Sequence, residues 1–171
     1  MQPQLALGTL GLLLTVAATS DVLRRRIPNA VNVAIAVSGL VAQALGGGPS
    51  RVAGVFGAAA LLFGLLWMPW RRGWLGGGDL KLGVAAALWV GWSGVPVYLL
   101  ASAVAAGALS AIAYARSGRA ARAEVRGNLY IAVVQRAPVD VEASASRGGR
   151  VSVPAGAALA AGALTAVLLG G

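Results

Sequence analysis

Few residues of this chain are able to transfer protons. The 171 residues include five Asp or Glu, no histidine and no cysteine. Ser/His/Asp and Cys/His catalysis, zinc sites built on His or Cys, and disulfides are therefore excluded. Carboxylates remain as the groups that could carry acid–base chemistry, and we expect neither a metal nor a cofactor beside them.

Two of these carboxylates lie at the ends of apolar segments. Asp21 ends the first such segment and Asp79 begins a later one, whereas Glu124, Asp140 and Glu142 lie in a long polar stretch. An acid at membrane depth is costly and therefore usually functional. Two acids in one water-filled pocket would keep one protonated while the other ionises. Such a pair could activate water and polarise a peptide carbonyl.

Each of the two aspartates also has a purely structural interpretation. Asp79 could cap the helix that follows it, because an Asp oxygen accepts the free backbone N–H groups of a first turn. Asp21 could pair with Arg24 or Arg25 one turn away, which would stabilise the helix end by roughly 0.3 kcal/mol. A cap is compatible with catalysis, and the spacing alone leaves both interpretations open.

The composition predicts the elements that would hold these residues. Hydrophobic residues make up 58% of the chain and charged residues 11%, with a mean hydropathy of +0.77, whereas about 25% of residues are charged in soluble domains. We predict one all-α membrane domain, a polytopic helical bundle of about six transmembrane helices with a cytoplasmic loop over about 116–151. The spans are placed near 4–21, 29–45, 51–69, 79–92, 95–115 and 152–169.

The charge distribution predicts how the bundle is oriented. The net charge is +9, and with six spans every Lys and Arg except Arg51 falls on the side of the loops near 22–28, 70–78 and 116–151. The positive-inside rule makes that side cytoplasmic and places both termini outside. Asp21 and Asp79 then share the cytoplasmic edge. Because the cations cluster beside apolar segments, we expect no nucleic-acid partner.

The residues around each aspartate form recognisable motifs. Asp21 is followed by Arg26-Ile27-Pro28-Asn29, and Asp79 lies in Gly76-Gly77-Gly78-Asp79-Leu80-Lys81. Together these segments resemble the two motifs of the type IV prepilin peptidases, which are GxGD-type intramembrane aspartic proteases. Six spans in so short a chain resemble the Flp/Tad-pilus branch. The entry to the last span also resembles the family pattern, but its residues are smaller, so we place Pro154 and Gly156 outside the candidate site.

The resemblance implies a set of site residues and an activity. Asp21 and Asp79 would be catalytic, and the residues of the substrate-binding or active-site loop would be Gly76, Gly78, Lys81, Arg26, Pro28 and Asn29. The implied reaction is removal of the leader from type IV, Flp-like prepilins or pseudopilins at the cytoplasmic face of a prokaryotic inner membrane. The basic residues could attract an acidic substrate residue or anionic lipid headgroups.

The resemblance also implies a difference from longer family members, which carry a tetracysteine zinc insert and methylate the new N-terminus. A chain without cysteine is expected to cleave without methylating. Two other functions stay open from the residues themselves. Paired intramembrane acids also serve proton-coupled carriers, and a noncatalytic subunit of a pilus or secretion machine would need neither aspartate.

Overall fold

The computed structural model describes residues 3–131, 134 and 153–170, and the regular structure of these residues is helical. The helices are α1 (Pro3–Arg24), α2 (Asn29–Arg71), α3 (Gly77–Arg116), α4 (Arg119–Tyr130) and α5 (Ala155–Gly170). The predicted all-α class is confirmed.

Four helical stretches are long and apolar enough to cross a membrane. They are Gln4–Arg24, Asn29–Gly46, Gly48–Arg71 and Gly77–Arg116, and α5 is a shorter apolar helix. Large apolar side chains such as Leu12, Leu23 and Phe56 are exposed on their outer surfaces. Such a surface is expected of helices whose neighbours are lipid tails.

Glycines with left-handed backbone angles divide the two longest helices. Gly48 has φ 68° within α2, and Gly91 has φ 69° within α3. Glycine adopts this conformation without the steric cost that a Cβ imposes. The breaks lie at or next to the connections predicted near 46–50 and 93–94. The apolar helical segments of the described chain therefore correspond to the predicted spans, with breaks in place of loops.

The chain forms two compact units. One contains the residues up to Gly107 and those from Pro154 onward, and the other contains residues 108–153. Both aspartates and α5 belong to the first unit. In this unit α1 packs against both α5 and α2.

Helical periodicity directs both aspartates toward the core of the first unit. The buried side chains of α1 recur every three or four residues, namely Leu10, Leu14, Ala17 and Asp21. On α3 the same spacing runs from the half-buried Asp79 through the buried residues Leu82, Ala86 and Trp89. Residues at this spacing share one face of a helix. The pattern that buries the apolar side chains therefore also buries the carboxylates.

A tryptophan on α3 fixes that helix against α2. The Trp89 indole N–H donates a hydrogen bond to the Ile35 carbonyl at 2.9 Å, and the Gln43 side chain donates to the Trp89 carbonyl at 2.8 Å. The ring lies against Gly39, where an added Cβ would come within 2.6 Å of Trp89 Cδ1. Glycine at this position lets the ring approach the α2 backbone.

Helix α5 also comes very close to α3. A Cβ added to Gly162 would lie 2.7 Å from the Ser102 backbone nitrogen and 2.9 Å from its Cα. Small residues at membrane-helix contacts allow such an approach, which strengthens van der Waals packing. The contact anchors α5, whose first turn reaches the aspartates.

The second unit contains a helix that we did not predict. Residues 119–130 form α4 within the stretch that we predicted as a cytoplasmic loop. Arg122 donates hydrogen bonds to the carbonyls of Ala115 and Ser117, and Arg126 donates to the Tyr114 hydroxyl. Arginine is favourable beside the free carbonyls of a helix C-terminus. Most of the remaining predicted loop, including Asp140 and Glu142, lies outside the described residues.

Candidate active site

Asp21 lies in the last turn of α1. Only 6% of its surface is exposed. Arg25, one helical turn further along the chain, has φ 51° and donates its backbone N–H to the Asp21 carbonyl at 3.0 Å. A residue in this left-handed conformation commonly ends a helix. The chain then leaves α1 sharply and begins α2 at Asn29, directly after Pro28.

Asp79 lies in the first turn of α3. The Gly76 carbonyl accepts hydrogen bonds from the backbone N–H groups of Asp79 and Leu80, each at 3.1 Å. The Asp79 carboxylate in turn accepts one from the Gly76 backbone N–H. An acid in the first turn that bonds back to the residue before the helix forms one half of a capping box. Asp79 is therefore not the N-cap residue that the sequence suggested, because α3 begins at Gly77, and it binds the residue before the helix from within the first turn.

The two carboxylates converge on Gly156 in the first turn of α5. A Cβ built on Gly156 would lie 2.8 Å from Asp79 Oδ1 and 2.9 Å from Asp21 Oδ2. Because both distances are measured from the same point, the separation of the two oxygens is at most their sum. Such a separation brings both carboxylates within hydrogen-bonding reach of one shared water.

Backbone amides at the start of α5 face both acids. The Ala157 N–H donates a hydrogen bond to Asp21 Oδ2 at 3.2 Å. The Gly156 N–H donates to the Asp79 carboxylate. Two consecutive peptide groups of one helix thus bind the two aspartates.

The segments that carry the two motifs pack against each other at Ile27. Its side chain is buried, and a Cβ added to Gly78 would lie 3.5 Å from Ile27 Cβ and 3.6 Å from its backbone nitrogen. A Cβ added to Gly156 would also lie close to Ile27, at 2.6 Å from its Cδ1. Ile27 therefore fills the space between the two glycines and helps fix the separation of the aspartates.

A cavity of about 590 Å³ opens beside the carboxylates. It is lined by Asp21, Asp79, residues 24–29 and residues 76–78. Five of the residues predicted around the aspartates line it, namely Arg26, Pro28, Asn29, Gly76 and Gly78. The sixth, Lys81, does not line the cavity but bonds Asn29 through its ammonium group. Within the described residues no three acidic side chains cluster as they would around a metal ion.

Four residues that contact this site were not among those predicted from the sequence. Ile27 and Gly156 pack against the motifs, Ala157 donates to Asp21, and the buried Asn32 donates its side-chain N–H to the Gly78 carbonyl at 3.4 Å. Ile27 lies within the first motif and Asn32 follows it closely, so both could have been found from their positions in the sequence. Ala157 acts through its backbone, so its side chain gives no signal.

The comparison with known proteins agrees with this geometry. The sequence model of the type IV leader peptidase family matches residues 9–111. The match covers more than half of the chain and both aspartate motifs, and so the chain belongs to the type IV leader peptidase family. It is a multi-pass membrane protease of that family, which confirms the resemblance drawn from the motifs. No curated protein and no solved structure matches the chain.

Proposed function

We propose that this protein is an aspartic endopeptidase that removes the leader peptide from type IV, Flp-like prepilins or pseudopilins. The observation that carries the proposal is the convergence of Asp21 Oδ2 and Asp79 Oδ1 on the same point above Gly156. Family membership supports leader cleavage as the reaction. The connection between α1 and α2 leaves no room for a tetracysteine insert, and these residues include no cysteine, which favours the Flp-like branch and cleavage without methylation.

The proposed chemistry needs one proton shared between the two carboxylates. The ionised member removes a proton from a water molecule, and the oxygen of that water attacks the scissile carbonyl carbon. The protonated member donates a hydrogen bond to the carbonyl oxygen, which becomes negatively charged in the transition state. Collapse of the tetrahedral intermediate breaks the C–N bond, and the leaving nitrogen takes up a proton from the pair. The products are the free leader and a new N-terminal amine.

The cavity suits an extended peptide beside the carboxylates. Three consecutive glycines, Gly76 to Gly78, precede Asp79 at its wall, and glycine lets another backbone approach closely. The arginines at 24–26 line the other side. In this proposal they attract an acidic residue of the substrate or anionic lipid headgroups, while the apolar helix of the prepilin remains in the bilayer.

The proposed orientation places this cavity at the cytoplasmic face of a prokaryotic inner membrane. Arg24 to Arg26, Arg71, Arg72 and Lys81 belong to the helix ends or connections that carry the two aspartates. An excess of Lys and Arg is typical of the cytoplasmic side. The substrate would then be cut before its leader is exported.

Asparagine variants of the two acids test the proposal. Asp21→Asn and Asp79→Asn each retain a side-chain oxygen that can accept the local backbone N–H, so the protein should fold and insert. An amide is not a general base, so cleavage should fall on the order of 10²- to 10⁴-fold. The measurement is the gel mobility of an Flp-like precursor co-expressed with each variant, and Glu124→Gln is the matched control outside the site.

Wild-type rates of cleavage in both asparagine variants would overturn the proposal. Failure of the wild-type protein to cut any precursor, together with an aspartate-dependent proton flux after reconstitution, would favour the carrier instead. The mass of the released N-terminus separates cleavage alone from cleavage followed by methylation.

A further inference from the structure

We infer that the first turn of α5 positions the catalytic pair, with Gly156 and the Ala157 backbone N–H as the positioning groups. The inference rests on the proposed function and extends it, because neither residue belongs to the two aspartate motifs. It assigns a role to a helix that begins beyond the segment matched by the family, residues 9–111.

The hydrogen-bonding needs of α5 support this role. The first N–H groups of any helix have no partner within the helix and require an acceptor from elsewhere. The residue before α5 is Pro154, whose carbonyl accepts the first helical bond from Ala158. Proline has no side-chain oxygen and cannot cap the turn in the way that Ser or Asp does. Asp21 and Asp79 supply the missing acceptors from two other helices.

The second observation is that the structure leaves no room for a side chain at residue 156. A Cβ there would come within 3.0 Å of three groups at once, namely Ile27 Cδ1, Asp79 Oδ1 and Asp21 Oδ2. Cβ atoms do not approach other atoms this closely, so any side chain would displace the carboxylates or α5 itself. The tight contact of Gly162 with the Ser102 backbone opposes movement of α5. The displacement would therefore fall on the two carboxylates and on the Ile27 side chain.

The arrangement gives the separation of the acids a physical origin. Both carboxylates bind consecutive N–H groups of one helix, so their spacing follows from the peptide geometry of α5. The partial positive charge of a helix N-terminus also favours negative charge nearby. Gly156 and Ala157 are positioning groups in this account, and the chemistry stays with the aspartates.

A glycine substitution gives the first test. Gly156→Ala should reduce kcat on the order of 10²-fold, since a displacement of about 1 Å at a reacting group has an effect of this size. KM should change little, and the pH–rate profile should change shape because the pair is disturbed. Gly64→Ala is the matched control: Gly64 is also helical, and a Cβ there meets nothing within 4 Å. This control should cleave at the wild-type rate.

A proline substitution tests the first turn of α5 through its backbone. Ala157→Pro removes the N–H that bonds Asp21 without loss of an intrahelical bond, and its ring also disfavours the helical conformation of Gly156. We expect a loss in kcat on the order of 10- to 100-fold, as for the loss of a hydrogen bond to a charged group. Ala155→Pro, at the first residue of the same helix, is the control and should retain activity.

A readout independent of catalysis separates this inference from the proposed function. The chain has no cysteine, so a double variant Asp21→Cys/Asp79→Cys reports the separation of these positions through a short crosslinker with two thiol-reactive ends. Crosslinking should be efficient in that parent and should decrease when Gly156→Ala is added. Unchanged crosslinking together with wild-type kcat and pH profile in Gly156→Ala would overturn the inference, while inactive asparagine variants would leave the proposed function standing.

A further pair of variants separates contact with Ile27 from contact with the two carboxylates. The activity of Gly156→Ala/Ile27→Val, compared with that of Ile27→Val alone, shows whether contact with Ile27 Cδ1 causes the defect. Full recovery of kcat in the double variant would assign Gly156 to packing against Ile27 and overturn its role in positioning the acids. A persistent defect supports the direct contact with both carboxylates.

Discussion

The Lys81 ammonium donates a hydrogen bond to the Asn29 side-chain oxygen at 3.0 Å, across 52 positions of sequence. Asn29 is the first residue of α2, and Lys81 lies one turn into α3. The bond therefore ties together the two segments that carry Asp21 and Asp79. Two motifs that are far apart in sequence are parts of one site.

A double-mutant cycle on this pair should show that its members act together. Asn29→Ala and Lys81→Ala should each lower kcat/KM, and the double variant should be little worse than the more severe single variant. We expect a coupling free energy of about 1 kcal/mol, which is typical of one hydrogen bond. The measurement is precursor cleavage in detergent. Strictly additive effects would show that the two side chains act independently.

The dependence of cleavage on pH should report the shared proton. At low pH both carboxyls are protonated and the base is lost, whereas at high pH both are ionised and the acid is lost. The cleavage rate should therefore fall on both sides of an optimum, with apparent pKa values that belong to the pair. Glu124→Gln should reproduce the wild-type profile. A flat rate across the acidic and neutral range would contradict a mechanism that uses both acids.

The Asn32 side chain should help to hold the glycine segment that precedes Asp79 in place. This buried side chain donates to the Gly78 carbonyl, and Asn32→Leu removes that donor while it keeps the branching at Cγ. We expect a loss of about 1 kcal/mol in stability and a several-fold decrease in cleavage, as for one broken internal hydrogen bond. Thermal unfolding in detergent and the cleavage assay measure the two effects. Wild-type stability and wild-type cleavage in Asn32→Leu would contradict a role for this hydrogen bond.

Gly39 and Gly64 offer a matched pair for the packing of α2. Gly39→Ala would bring a methyl group against the Trp89 ring and disturb its hydrogen bond to Ile35. We expect a destabilisation of about 1–3 kcal/mol, the usual size for overpacking a tight contact. Gly64→Ala meets no neighbour and should be neutral or slightly stabilising, because alanine favours helix more than glycine does. Equal melting temperatures of the two variants would contradict the tight Trp89 contact.

The helical class and the segments around both aspartates could be predicted from the sequence. Both depend on the spacing of apolar and charged side chains along the chain. Asp21 continues the buried spacing of Leu10, Leu14 and Ala17, and apolar runs of this length indicate membrane spans. The roles of the surrounding residues remain predictions, although the structure places most of them around one cavity. The prediction of the helical class was confirmed because apolar runs marked the helices.

The contribution of α5 could not be predicted with the same reasoning. Gly156 is one of 25 glycines in a chain rich in small residues, and the donor at Ala157 is a backbone group common to all residues except proline. The entry to the last span did resemble the family pattern, but its small residues led us to place Pro154 and Gly156 outside the candidate site, whereas Gly156 lies against both carboxylates. Helix α4 was missed although Ala121, Val125 and Leu129 recur at helical spacing, because these apolar residues are few in an arginine-rich stretch.

The break at Gly91 has a consequence for the membrane around the site. The part of α3 between Gly77 and this break rises roughly 20 Å, whereas a bilayer core is about 30 Å thick. This segment cannot reach both headgroup layers, so Asp79 at its start is recessed or the surrounding leaflet is compressed. Cleavage should therefore vary with the acyl-chain length of the host lipid and proceed fastest in thin bilayers.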